Sequence, residues 1–489
     1  IFGVNGSEII NSSLVNVGGN KSIGILGMTY RTDILGNIIV DEFGTTALGQ
    51  GKSNIDNKGN LILDGSKSVG IYGINNNSGL GITPSAVTNL TALNNGNIVM
   101  NGKESIAMYS TYGNLKNENK ITMNGTESKA IYGQNNSNLE NTINGIIEIK
   151  NSLSSSNPSI GMYGDSSTSI SNSGLIDAGN NTIGIYGSQI TLANSSNIKV
   201  GNESMGIYYL GNSLLLNGSI TTGSTKSVGL YSVNGGSITN NLANFVIGNG
   251  SYGIISSGVG TTNIVNNSSN VTIGDNSVFI YSSDTGGTIT NSANLSSTSN
   301  GIYGLYGAGT IVNNNSIDFS TGIGNVGIYT TNGGNATNNA TISVGGSNTS
   351  TNSYGIGMGS DSGSIARNSS TGVINVSGTN GVGMYASGSG SKAINDGTIN
   401  LNQSGTIGMY IENGAEGINN GLITTTGSGT NTVTGVALKS GGQLTNNGTI
   451  NIDTNKGSGI LNSGGVIANY GTITVSGTDT VVERVPNAS

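Results

Sequence analysis

The chain has 489 residues, of which 83 are glycine, while only 8% are charged and 5% are aromatic. Its net charge of -7 is spread thinly and its 17 Lys and Arg residues form no cluster, which argues against a nucleic-acid partner. The absence of Cys and His excludes disulfides, zinc sites and histidine-based catalysis.

A short phrase recurs along the chain: an apolar residue, a glycine, an apolar residue and a tyrosine, as in Val69-Gly70-Ile71-Tyr72. Most steps between tyrosine slots measure 22 to 28 residues, as from Leu26 to Leu48 (22) and from Gly357 to Tyr385 (28). A fixed period of this size is typical of a solenoid, in which each repeat buries its apolar face against the next. We place the slots at Leu26, Leu48, Tyr72, Tyr109, Tyr132, Tyr163, Tyr186, Tyr208, Tyr231, Ile255, Tyr281, Tyr303, Tyr329, Gly357, Tyr385, Tyr410, Ala437 and Leu461.

One coil, from Val382 to Thr406, contains three short segments in which apolar residues alternate with small or polar ones. Alternation with period 2 is typical of half-buried strands, and the intervening Gly and Asn residues favour turns. The sequence therefore predicts an all-β fold, a right-handed parallel β-helix of about 18 three-strand coils. At about 4.8 Å per stacked strand this gives a rod roughly 85 Å long. We expect a single domain over residues 1–479 and an irregular end over 480–489.

A leucine-rich repeat is the alternative fold, since its period overlaps this one. Leucine is not the dominant apolar residue here, however, and no segment has the 3.6-residue periodicity of a helix. The parallel β-helix is therefore the better interpretation.

The third segment of each coil is the most regular and should line the core. Its apolar pairs include Leu61 and Leu63, Ile98 and Met100, Ile121 and Met123, Ile198 and Val200, Val271 and Ile273, Ile342 and Val344, Ile399 and Leu401, Ile450 and Ile452, and Ile473 and Val475. An asparagine precedes this segment in many coils, and we expect its amide to bond the coils above and below. These asparagines are Asn57, Asn117, Asn172, Asn194, Asn240, Asn266, Asn291, Asn313, Asn338, Asn395, Asn419, Asn446 and Asn469.

Two insertions interrupt the period, near residues 75–90 and 151–158, and they contain two of the three prolines. An insertion in a solenoid must loop out of the stack, and protruding loops on a rigid framework often carry binding sites. The alternative is that both loops are inert. The candidate binding residues in them are Asn76, Leu80, Ile82, Pro84, Leu153, Asn157 and Pro158.

The tyrosine slots form the other candidate surface. The apolar residue just before each slot points inward, so strict alternation predicts that the glycine and the tyrosine both face outward. An exposed row of rings could bind sugars or a protein, and we select Tyr163, Tyr186 and Tyr208 as candidates. Stacking that only stabilises the sheet is the alternative.

Parallel β-helices also serve as scaffolds for polysaccharide lyases and hydrolases, whose sites need carboxylates held close together. The acidic residues here are scattered, and Asp41-Glu42 is the only adjacent pair. No calcium-binding nonapeptide series recurs. The sequence predicts no enzyme, no cofactor and no metal site, although carboxylates brought together in space would reopen the question.

The phrases Ser68-Val69-Gly70-Ile71-Tyr72-Gly73, Asn181-Thr182-Ile183-Gly184-Ile185-Tyr186-Gly187 and Asn446-Asn447-Gly448-Thr449-Ile450-Asn451-Ile452 resemble the passenger repeats of giant fusobacterial autotransporter adhesins of the RadD-like type. The resemblance runs from Ser22 to Gly477. It implies a type V secreted passenger, held outside the cell by an outer-membrane β-barrel that this segment lacks. It also implies adhesion to host glycans, host receptors or other bacteria.

The residues and the resemblance together predict an extracellular adhesin segment that binds a host receptor, a glycan or a partner bacterium without covalent chemistry. We expect a monomeric rod with no membrane insertion, since no run of eighteen apolar residues exists. The structural alternative is a stalk that presents a distant tip.

Overall fold

The computed structural model describes residues 1–4, 7–29, 53–75, 90–258, 260–426 and 431–485. All regular elements within these ranges are β-strands. Each strand pairs in parallel with its equivalent in a neighbouring coil, as Val382–Ser387 pairs with Ile407–Glu412. The chain makes about 17 turns of three strands, which confirms the predicted parallel β-helix.

The coils fall into two compact units, Ile1–Ser232 with Leu242–Asn244, and Val233–Asn241 with Phe245–Ser489. In chain order, each coil contributes one strand to a first sheet, which carries the tyrosine slots, one to a second sheet and one to a third. The first-sheet strands of the first unit are Phe2–Val4, Ile23–Thr29, Val69–Asn75, Ile106–Thr111, Lys129–Gln134, Ser159–Gly164, Thr182–Gly187, Met205–Tyr209 and Val228–Ser232. Its second-sheet strands are Glu8–Asn11, Ser53–Asn57, Leu90–Asn94, Asn114–Asn117, Asn138–Asn141, Ser169–Asn172, Gln189–Leu192 and Ser213–Leu216. Its third-sheet strands are Val15–Val17, Asn60–Leu63, Asn97–Met100, Lys120–Met123, Ile146–Ile149, Leu175–Ala178, Asn197–Val200 and Ser219–Thr221.

The second unit repeats the same plan. Its first-sheet strands are Tyr252–Ser256, Val278–Ser282, Tyr303–Gly307, Val326–Thr330, Ile356–Ser360, Val382–Ser387, Ile407–Glu412, Thr434–Lys439, Ser458–Ser463 and Val481–Arg484. The second-sheet strands are Gly236–Asn240, Thr262–Asn266, Thr288–Asn291, Thr310–Asn313, Asn335–Asn338, Ile365–Asn368, Lys392–Asn395, Glu416–Asn419, Gln443–Asn446 and Val466–Asn469. The third-sheet strands are Asn244–Ile247, Val271–Ile273, Leu295–Ser296, Ile317–Ile323, Thr341–Gly346, Val373–Val376, Thr398–Leu401, Leu422–Thr425, Thr449–Asp453 and Thr472–Ser476.

Strand register corrects one predicted coil near the beginning of the chain. Leu26 pairs directly with Tyr72, so no first-sheet strand lies between them. The slot assigned to Leu48 is therefore wrong as a separate coil, although Leu48 itself lies outside the described residues. The step from Leu26 to Tyr72 is one coil with a long insertion.

The observed strand pairing also changes which residues occupy two of the tyrosine slots in the second unit. Tyr306, rather than Tyr303, pairs with Tyr281. Gly359, rather than Gly357, occupies the slot in a later coil. Both predictions were wrong by a few residues because the local sequence allows the phrase to be placed in more than one way.

The core consists of inward residues from all three sheets. The residue before the tyrosine slot is buried, as predicted, at Ile71, Met108, Ile131, Leu230, Ile280, Met384 and Ile460. The third-sheet pairs are buried as well, except Ile473 and Val475, which are half-buried.

The glycine of the phrase faces inward, which contradicts the prediction from strict alternation. Gly70 is buried, and a Cβ built on it would lie 3.1 Å from the Leu61 side chain and 2.6 Å from the carbonyl oxygen of Ala107. Since Ile71 is also fully buried, two consecutive residues point to the core. Strict alternation is therefore broken at Gly70 and Ile71, and it resumes at Tyr72, which is half-buried.

A ladder of asparagine side chains ends the second-sheet strands, and we call it the asparagine ladder. Except at Asn172 and Asn469, each amide Nδ2 donates to the Oδ1 of the asparagine in the next coil at 2.7 to 2.9 Å. Its members are Asn11, Asn57, Asn94, Asn117, Asn141 and Asn172 in the first unit, and Asn240, Asn266, Asn291, Asn313, Asn338, Asn368, Asn395, Asn419, Asn446 and Asn469 in the second.

The predicted member Asn194 is wrong. Leu192 pairs with Asn172 and occupies the ladder position, while Asn194 is exposed. The amide of Asn172 donates instead to the hydroxyl of Ser196 at 2.7 Å. The ladder thus ends in the first unit without leaving this buried amide unpaired.

Candidate binding surface

The outward side of the first sheet carries a row of stacked rings, which we call the tyrosine column. In the first unit it runs without a break through Tyr72, Tyr109, Tyr132, Tyr163, Tyr186, Tyr208 and Tyr231. Parallel pairing in register places one ring in each coil. The rings are half-buried because each is covered by its neighbours.

The three predicted tyrosines lie together in the most regular part of the column. The rings of Tyr163 and Tyr186 are 4.8 Å apart with an interplanar angle of 6°, and those of Tyr186 and Tyr208 are 5.0 Å apart with an angle of 11°. Both faces of the Tyr186 ring are therefore covered by other tyrosines. A sugar stacks on the face of a ring, so this arrangement favours a stabilising role.

Tyr132 is turned across the column. Its ring makes angles of 79° with Tyr109 and 84° with Tyr163. The ammonium of Lys129 lies 5.5 Å from the Tyr132 ring centroid and 5.7 Å from that of Tyr163, within the range of a cation–π contact. Burial lowers the pKa of Lys129. This lysine covers the part of the aromatic surface that stacking leaves open.

The hydroxyls of Tyr109 and Tyr385 donate hydrogen bonds to side chains of the next coil. Tyr109 donates to Oε1 of Gln134 at 2.9 Å, and Tyr385 donates to Oε1 of Glu412 at 2.9 Å. Burial raises the pKa of both Tyr109 and Tyr385 to about 12. These hydroxyls therefore stay protonated at neutral pH, where they cannot serve as bases.

The column of the second unit is interrupted. Ile255, Gly359, Ala437 and Leu461 occupy tyrosine slots there. At Gly359 the missing side chain leaves space that the ring of Tyr329 fills, since a Cβ on Gly359 would lie 2.6 Å from that ring.

The hydroxyl of Tyr329 is hydrogen-bonded to an acidic residue. Its hydroxyl donates to Oδ2 of Asp361 at 2.9 Å. Burial, and secondly this hydrogen bond, raise the pKa of Tyr329 well above its ordinary value. The ring of Tyr329 therefore occupies space that a side chain at position 359 would take.

A second outward row lies three residues before the tyrosine column, and sequence alternation missed it. It includes Val69, Ile106, Ile183 and Met205, all half-buried. The inward pair of glycine and apolar residue places this row and the tyrosines on the same side of the sheet. An outward apolar strip two residues wide results.

The loop at 151–158 connects the third sheet to the first-sheet strand that carries Tyr163. Its base is fixed: Ser152 is buried, its N–H donates to the carbonyl of Asn180 at 2.9 Å, and its hydroxyl donates to the carbonyl of Asn157 at 3.2 Å. Asn157 is exposed and Pro158 is half-buried. Leu153 projects outward with 80% of its side chain exposed.

The candidate residues of the other insertion, Asn76, Leu80, Ile82 and Pro84, lie outside the described residues. The structure brings Leu153, Asn157 and Pro158 together on one loop, and Tyr163, Tyr186 and Tyr208 in one stack.

A further protrusion was not predicted from the sequence. Asn348 and Ser353 form an antiparallel bridge within a turn between the third and first sheets, and Tyr354 beside it is 43% exposed. With Gly359 in the slot, the step from Tyr329 is 30 residues (359 - 329), which is longer than most. The misplaced slot at Gly357 concealed this signal.

No group of three or more acidic residues that could hold a metal ion occurs within the described ranges. The adjacent pair Asp41-Glu42 lies outside them. Those same described ranges contain no helix that is long and apolar enough to cross a membrane.

A family model described as the BigA third pectate lyase-like domain matches residues 244–414. This range is well under half of the chain and, apart from Asn244, lies in the second unit. No curated protein matches the chain. The match and the parallel β-helix fit an extracellular passenger segment of the adhesin type.

Proposed function

We propose that this chain is a surface-displayed passenger segment of an autotransporter adhesin and that it binds host cells or other bacteria without covalent chemistry. The fold and the match at residues 244–414 support the passenger class. Only the repeat phrases support the more specific proposal that the chain is related to fusobacterial adhesins. Its partner would be a surface glycan or a protein receptor.

The observation that carries the binding role is the exposure of Leu153 on a loop whose base is fixed. At 80%, this is the most exposed large apolar side chain among the described residues. Ser152 below it is buried, and Asn181 donates from its side chain to the Ser152 carbonyl at 3.2 Å. A partner would thus meet a positioned apolar group.

A partner that covers Leu153 would remove its apolar surface from contact with water. Full burial of a leucine side chain contributes about 1.5 to 3 kcal/mol. If all of this free energy contributes to binding, the affinity rises roughly ten- to a hundredfold. The polar rim of Asn151, Ser154 and Asn157 can supply the hydrogen bonds that orient a partner.

The test is binding of the purified chain to host cells, bacterial cells and a panel of surface glycans and receptors. We expect Leu153→Ser to weaken binding at least about tenfold while circular dichroism stays unchanged. Ile143→Ser is the matched control, since Ile143 is also 69% exposed but lies at a different corner of its coil. Equal binding by the wild type and both variants would reject the loop as the adhesive site, and no binding by the wild type would favour a stalk.

A further inference from the structure

The outer face of the third sheet in the second unit has a notch with a volume of about 360 Å³. Volumes of roughly 300 to 1,000 Å³ are typical of small-ligand sites. The side chains that matter in its lining are Thr272, Ser296, Thr298, Asp318, Ser320 and Thr321.

The notch exists because one strand ends early. Leu295–Ser296 has two residues, whereas the following third-sheet strand, Ile317–Ile323, has seven. Ser297 is tied down on both sides: its N–H donates to the carbonyl of Asp318 at 3.1 Å, and its hydroxyl donates to the carbonyl of Ile273 at 3.1 Å. The backbone therefore forms a fixed floor.

The lining has the chemistry of a polyhydroxyl site. Within the described residues, the hydroxyls of Thr272, Ser296, Thr298, Ser320 and Thr321 have no hydrogen-bond partner in the protein. Asp318 accepts the Ser320 N–H at 3.1 Å through Oδ1, and its Oδ2 is left for a ligand. A hydroxyl both donates and accepts, and a carboxylate accepts from two donors, so a ligand rich in hydroxyls matches this set.

We propose that the notch binds a neutral sugar unit of a surface glycan, an inference that rests on the proposed adhesive function. The only charged side chain in the lining is the carboxylate of Asp318, so an acidic sugar would meet an unpaired negative charge. A calcium ion needs six to eight oxygen ligands, usually with several carboxylates. One carboxylate favours a neutral sugar over either of these.

The test is saturation-transfer NMR of the full chain with neutral hexose oligosaccharides and, in parallel, with oligogalacturonate. We expect the neutral sugars to bind, Asp318→Asn to weaken them at least about tenfold, and Ser296→Trp to abolish binding by filling the notch. Asp177→Asn is the matched control, because Asp177 has the same outward position on a regular third-sheet strand.

Preference for oligogalacturonate, no binding of neutral sugars, or binding that Ser296→Trp leaves unchanged would each overturn the proposal. A cell-adhesion assay then shows whether only the sugar site is wrong or whether the adhesive function is wrong as well. If the wild type adheres to cells through Leu153 but binds no neutral sugar, the adhesive function stands and only the sugar site is wrong. If the wild type binds neither cells nor sugars, both proposals fail.

Discussion

The asparagine ladder and the tyrosine column both recur once per coil, yet they differ in how much change they tolerate. In the second unit the ladder is unbroken from Asn240 to Asn469, while the column of that unit contains Ile255 and Gly359. A buried amide must find a partner, whereas a half-exposed ring can be replaced by another apolar group or by a neighbouring ring. In the second unit the interior therefore constrains the sequence more strongly than the outer surface does, whereas in the first unit the column is unbroken and the ladder ends at Asn172.

The largest effect should come from breaking the ladder. Asn313→Leu removes the acceptor of the Asn291 amide and the donor to Asn338, and Asn313 is fully buried. We expect the free energy of unfolding to fall by about 2 to 4 kcal/mol, measured by chemical denaturation. Asn314→Leu, at the exposed neighbouring position, should change it by less than about 0.5 kcal/mol. If both variants lost the same free energy of unfolding, the ladder hydrogen bonds would contribute no more to stability than the exposed neighbouring position does.

The next largest effect should come from a substitution at the turn that follows the asparagine ladder, where neighbouring coils stack closely. A Cβ on Gly448 would lie 2.2 Å from the carbonyl oxygen of Gly421, so Gly448→Ala forces the two coils apart. We expect a loss of about 1 to 3 kcal/mol in the same denaturation experiment. Gly18→Ala is the control, since nothing lies within 4 Å of its Cβ position. Unchanged stability of Gly448→Ala would contradict this packing.

A smaller effect is expected from the tyrosine column. Tyr186 stacks on Tyr163 and Tyr208, so Tyr186→Leu should lower the free energy of unfolding by about 1 to 2 kcal/mol. Tyr186→Phe keeps the ring and should cost less than about 0.5 kcal/mol. If the two variants lose the same amount, the hydroxyl rather than ring stacking is what stabilises the column.

The column also predicts a loss of stability in alkali. The pKa of Tyr109 rises from 10.0 to about 12 on folding, so the folded chain keeps a proton that the unfolded chain releases. This contribution is complete below pH 10 and is lost as the pH rises through about 12. Denaturation at a series of alkaline pH values should show a shallower decline for Tyr109→Phe than for the wild type. Identical slopes would contradict the assignment.

The smallest effect on stability is expected at the exposed loop. Leu153→Ser should change the free energy of unfolding by less than about 0.5 kcal/mol, because the side chain is 80% exposed. A large loss in thermal or chemical unfolding would mean that Leu153 packs within the protein and is not available to a partner.

The period and the inward positions could be predicted from the sequence because every coil repeats the same burial. Register could not be predicted everywhere: Tyr303-Gly304-Leu305-Tyr306 has a tyrosine at each end, and only pairing with Tyr281 selects Tyr306. The inward position of Gly70 was missed because strict alternation does not allow two consecutive inward residues, whereas Gly70 and Ile71 are both buried.

The sequence located the loop that carries Leu153 but not the notch near Asp318. A signal for the notch was present, since Ser297 stands where a regular third-sheet strand has its second apolar residue, as Ile273 does two residues after Val271. What the sequence could not show is that strands from three coils leave a cavity there.

The central claim is that the repeated coils supply the framework and that binding resides where the chain departs from the repeat. The most direct measurement is cell adhesion by two variants side by side, one with Leu153→Ser and one with Tyr163, Tyr186 and Tyr208 all changed to Leu. We predict that the tyrosine variant is less stable but still adheres at a temperature where it remains folded, and that the Leu153 variant is stable but adheres at least about tenfold more weakly. Adhesion kept by the Leu153 variant and lost by a folded tyrosine variant would contradict the claim.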